Sequence, residues 1–106
     1  MPNIVGFNIF DSEAHQIVGH DTVTVSTSAV GPTIPAENVT ACQIRVNDQS
    51  IRWRADGTDP TASEGFTSTS GDIFILTKET EVDQFKAIRK GGSDGEIDCV
   101  FFTGTL

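Results

Sequence analysis

Lysine and arginine do not occur in the first 44 residues of this 106-residue chain, and tyrosine does not occur at all. Tryptophan and methionine occur once each, and leucine and cysteine twice. Each shortage excludes something. Seven basic residues against fifteen acidic ones leave a net charge of -8, which opposes any role whose affinity comes from neutralising phosphates, so nucleic acid is not an expected partner. The longest apolar runs, at 73–76 and 99–102, are four residues each, far short of the ~20 that span a bilayer. No membrane partner is expected. The opening MPNIVGFNIFDSE has neither a basic region nor a sustained apolar stretch, so a secretory signal is not expected either, and the chain is expected to be made and used without export. Two cysteines without CxxC spacing are too few for a disulfide scaffold and do not read as a zinc or redox site.

What is abundant is branched at Cβ. Threonine, isoleucine and valine number 13, 10 and 9, against seven alanines and two leucines. Such side chains suit a pleated surface and lose rotamer freedom in a helix, so the composition reads as all-β. Short apolar segments recur every 8 to 15 residues between Gly, Pro, Asn and Asp. That spacing predicts a two-sheet β-sandwich, jelly-roll or immunoglobulin-like, of about seven or eight strands.

The predicted organisation is an N-terminal strand or arm over 1–14 and a single sandwich domain over 15–106. In 3–10, apolar residues fall on both sides of the alternation, as in a strand covered on two faces or an arm that packs on something else. A weak strand over 15–19 precedes a stronger one over 22–28. GPTIP at 31–35 cannot sustain a central ladder, because proline lacks the donor N–H, and should cross between sheets. Segments 39–47 and 51–55, joined by NDQS, read as a hairpin, as do 84–89 and 96–102, joined by GGSDG. Residues 73–76 lack alternation and read as a central strand covered on both faces. A short turn of helix is expected over 79–83. Cys42 and Cys99 fall in phase with apolar neighbours, so two buried thiols are expected, with an inter-sheet disulfide as the rival reading.

Catalytic chemistry finds no foothold. No nucleophile motif accompanies His15 and His20, whose five-residue spacing places them on opposite faces of a strand, so neither catalytic nor metal-ligating residues are assigned and no cofactor is expected. Asp56 and Asp59 lack the EF-hand pattern and read as turn residues. The loop over 56–71, DGTDPTASEGFTSTSG, is long for a compact domain, and a loop of this length usually has a job or is mobile. Phe66 is its one large apolar residue and reads as the side chain that pins it. A single tryptophan in phase with Ile51 supplies little of the aromatic platform that sugar recognition wants.

The run IRWRADGTDPT at 51–61, with VTVSTSAVG at 23–31 and FKAIRKGGSDGEIDCVFF at 85–102, resembles small tailed-bacteriophage and prophage virion structural proteins. The resemblance covers residues 22 to 102, and its most distinctive part is the Arg-aromatic-Arg-x-Asp-Gly-Thr-Asp-Pro run. It implies a β-sandwich of the capsid cement or decoration type, located in the virion and made in the bacterial host cytoplasm. The implied partner is the major capsid protein of the shell, and the implied assembly is a homo-oligomer, dimer or trimer. The chain departs from shorter members in its N-terminal segment, where Ile4, Phe7, Ile9 and Phe10 are expected to contact another subunit by strand addition or by burying an apolar edge. Asp59 and Phe66 complete the expected interface. A tail, neck or fibre-associated module is the nearest alternative within a virion. A sugar or host-surface binding module using the 56–71 loop is the alternative of another class.

Overall fold

The computed structural model describes residues 16–35 and 38–103. The expected arm over 1–14, with Ile4, Phe7, Ile9 and Phe10, lies outside them, as does His15. Seven strands and one short helix follow in the order β1 (Gln16–Val25), β2 (Val39–Asn47), β3 (Ile51–Arg54), β4 (Phe66–Ser68), β5 (Ile73–Leu76), α1 (Glu79–Gln84), β6 (Lys86–Arg89) and β7 (Gly95–Thr103). They form two antiparallel sheets, one of four strands ordered β1-β7-β2-β5 and one of three ordered β4-β3-β6. The predicted all-β, two-sheet sandwich is the observed architecture.

Alternation sets the core. Val23 and Val25 on β1, Cys42, Ile44 and Val46 on β2, and Ile97, Cys99 and Phe101 on β7 turn toward the second sheet, where Ile51, Phe85 and Ala87 meet them. These side chains form one apolar cluster, which Val82 joins from α1. The first turn of α1 carries Glu79 and Glu81, where carboxylates suit the helix dipole. Its position matches the expectation almost to the residue.

Connectivity departs from the expectation. β2 pairs with β5 and β7, whereas β3 pairs with β4 and β6. The NDQS turn therefore joins strands that face each other across the core, and the expected hairpin is an arch between sheets. The same correction applies to β6 and β7, which lie in different sheets. Turn residues permit the chain reversal in both cases, and Asp48 takes the left-handed backbone at φ 71°, which aspartate tolerates better than most residues. Alternation states which side chains go inward; it does not state which strand supplies the backbone partners. The two segments expected at 15–19 and 22–28 are one strand, β1, with a bulge between Ile17 and Gly19. β5, expected to be central, lies at the edge of its sheet, and Ile73 is 58% exposed.

The proline-bearing segment crosses between sheets as expected. Val30 exchanges two backbone hydrogen bonds with Ala87 of the three-stranded sheet, at 2.9 and 2.8 Å, before the chain returns as β2. On the way the Thr33 N–H donates to Asp21 Oδ2 at 2.8 Å. Pro35 lies over Gly19, where a Cβ would stand 2.6 Å from the proline ring; glycine makes that approach possible. Cys42 and Cys99 are two buried free thiols, and no disulfide joins them. The neighbouring Cys42 thiol and burial push the Cys99 thiol far above its ordinary range, so it stays protonated and behaves as a small apolar group.

Candidate functional site

β3 and β4 form the only pairing among the described residues between strands that follow each other in the chain, and it sets Trp53 opposite Phe66. The Trp53 indole is held on several sides. Phe74, from the opposite sheet, stacks on it at 4.6 Å with 8° between planes, and Phe85 tilts against it at 5.6 Å. Its Nε1–H donates to Ser68 Oγ at 3.0 Å, which satisfies the polar end of a partly buried ring. Phe66 meets it edge-on at 5.2 Å, with 69° between planes. Phe66 itself is 68% exposed.

Trp53, Arg54, Ala55, Asp56, Gly65 and Phe66 line an open groove of about 390 Å³. Its floor is aromatic and its rim is an ion pair. Arg54 Nε donates to Asp56 Oδ1 at 3.0 Å, and Nη2 donates to Oδ2. The Arg54 guanidinium, helped by the Thr58 backbone N–H, lowers the Asp56 carboxyl to about 2. The folded value is depressed, so this contribution to stability is present above the ordinary aspartate range near ~3.9 and is lost as pH falls toward 2. A pH titration of the Asp56 side-chain carboxyl by NMR should give a midpoint near 2, and Arg54→Leu should return it toward the ordinary range. A midpoint unmoved by that substitution would show that the pair does not form in solution.

Phe66 does not pin the 56–71 loop by burial. Arg52 does that work: Nε donates to the Ala62 carbonyl at 2.9 Å, and Nη1 donates to the Gly65 carbonyl at 3.4 Å and to Thr67 Oγ1 at 3.2 Å. Pro60, within the loop, is buried. Two further turns hold its path, where the Thr58 N–H donates to Asp56 Oδ1 and the Glu64 N–H to Thr61 Oγ1. Arg52 is thus a structural clamp, legible only once the loop is seen to fold back over β3. Arg52→Ala should leave the sandwich folded and make the 56–65 segment the first site of limited proteolysis, read by mass spectrometry of the fragments. Unchanged cleavage kinetics would refute the clamp.

Of the six expected interface residues, the structure places Phe66 in the groove and Asp59 on the exposed loop outside the groove lining. Ile4, Phe7, Ile9 and Phe10 are beyond the described residues. Trp53, read from sequence as core, belongs to both core and groove. Asp56 accepts bonds from Arg54 and Thr58 as a turn residue does, and no group of three or more potential metal ligands occurs among the described residues. His20 stands exposed on β1. Comparison with known protein families, with characterised proteins and with solved structures finds no match.

Proposed function

We propose that this chain is a non-enzymatic bacteriophage virion structural protein, a capsid cement or decoration protein that binds and braces the assembled shell. The observation that carries the reading is Phe66: a large aromatic side chain, 68% exposed, set edge-on to Trp53 and presented beside a loop that Arg52 clamps. An ordered, exposed aromatic loses little conformational freedom when a partner covers it, which is the property of an interface anchor. The acidic surface and the sequence resemblance agree with a protein whose partner is the shell and not the packaged nucleic acid. The major capsid protein is the proposed partner, with the chain acting as a dimer or trimer.

The test mixes purified chain with empty shells and measures bound protein after sedimentation. Occupancy in proportion to shell subunits supports the proposal, and Phe66→Ala should reduce it while leaving the thermal transition of the isolated domain nearly unchanged. Occupancy limited to one vertex or to the tail assigns the chain to the tail, neck or fibre instead. The aromatic groove rimmed by Arg54 and Asp56 favours one second reading, a sugar or host-surface binding module. Glycan binding abolished by Phe66→Ala, without shell attachment, would establish that reading in place of the first.

A further inference from the structure

The four-stranded sheet has a second face, turned away from the three-stranded sheet. Ala41 and Phe102 are register partners on it, next in the chain to Cys42 and Phe101, which point the other way into the core. Ile75 and Val100 pack beside them in a separate apolar cluster. A side chain on an outward sheet face is normally wet, yet Ala41 is 0% and Phe102 2% exposed. At the margins of the same sheet, Ile17 is 66% and Ile73 58% exposed. The cover therefore sits over the two central strands and not over the edges. The second sheet and α1 lie on the other side, where Ile51, Ala87 and Val82 join the inner cluster.

We propose that this outer face is the docking surface for residues 1–15 of the same chain. The described residues begin at Gln16, and the next residue, Ile17, is the register partner of Phe102, so the segment starts beside the patch it would cover. Phe102 is one strand spacing from β1 and Ala41 two, about 5 and 10 Å. An extended chain advances about 3.3 Å per residue, so the six residues from Gln16 back to Phe10 reach roughly 20 Å, enough to return across both. The segment carries apolar groups on both sides of its alternation, with Ile4, Phe7, Ile9 and Phe10 prominent. Docking within one chain costs only the closure of a short loop, whereas a second copy would also give up the freedom lost on association. The four residues expected from sequence to meet another subunit thus have a place on their own domain. The inference concerns the isolated protein and holds whether or not it attaches to a shell.

NMR of the full chain tests it. In a uniformly labelled sample, the Phe102 ring and the Ala41 methyl should show nuclear Overhauser contacts to Phe7, Ile9 or Phe10. In an equal mixture of labelled and unlabelled chains, isotope-filtered spectra should lack them. Contacts that survive the filter assign the face to a second copy, and absence of contacts in both samples removes the segment as the cover; either result overturns the proposal. The full-length double variant Phe7→Ser, Phe10→Ser should bind an apolar dye severalfold more strongly while the amides of β2 and β7 remain protected from exchange. Dye binding equal to that of the parent would also overturn it.

Discussion

Phe101→Ala is expected to destabilise the domain by about 3–5 kcal/mol, the range for removing a buried aromatic ring and leaving a cavity. Phe101 is 0% exposed and lies on β7, which has β1 on one side and β2 on the other. Its register partners are Gly19 and Cys42, neither of which has bulk to move into the space. Backbone on both sides is tied into ladders, so the cavity cannot collapse without breaking sheet hydrogen bonds. Domains of this size are stable by roughly 5–15 kcal/mol, so the substitution removes a large share of the total. Chemical denaturation with an unchanged slope and a much lower midpoint is the expected result. A loss below about 1.5 kcal/mol would mean that the core repacks freely and that the two sheets are less firmly joined than their shared cluster implies.

Gly31→Ala is expected to cost about 1–3 kcal/mol through overpacking. A Cβ at this position would stand 2.6 Å from the Phe85 carbonyl oxygen, a contact with backbone that no rotamer change relieves. The paired hydrogen bonds between Val30 and Ala87 hold the crossing segment against the three-stranded sheet, so relief requires weakening that bridge. Gly91→Ala is the control. A Cβ there meets nothing within 4 Å, and loss of unfolded-state freedom should leave stability equal or raised by up to about 1 kcal/mol. Equal thermal midpoints for the two variants would show that the crossing segment can move away from β6.

Which parts of the fold could be read in advance follows from what each signal encodes. In β2 and β7 the inward residues, Cys42, Ile44, Val46, Ile97, Cys99 and Phe101, are the ones that alternation selects, and all are buried. The short helix was legible because Val82 and Phe85 recur at helical spacing, and both reach the core. In β5 the same reasoning misled: an unbroken apolar run signals cover on two faces, yet Ile73 is exposed at a sheet edge. The missing information was its neighbour on one side. Phe66 misled for a related reason. A lone phenylalanine in a polar loop suggests a buried pin, but Arg52, immediately before the tryptophan, holds the loop through carbonyl groups that carry no side-chain signature.

Composition and alternation alone determined that this chain is a β-protein, which side chains line its interior, where the backbone reverses and that its surface is acidic, because these depend on a residue's own chemistry and its near neighbours. Tertiary structure alone decided that the reversals at 47–50 and 90–94 link opposite sheets, that β5 ends a sheet and that Trp53, Phe66 and Asp56 share a groove. The physical reason is that backbone hydrogen bonding is the same for every residue. Strand partners are therefore chosen by how the whole set of apolar faces can be buried at once, and no local stretch of sequence records that choice.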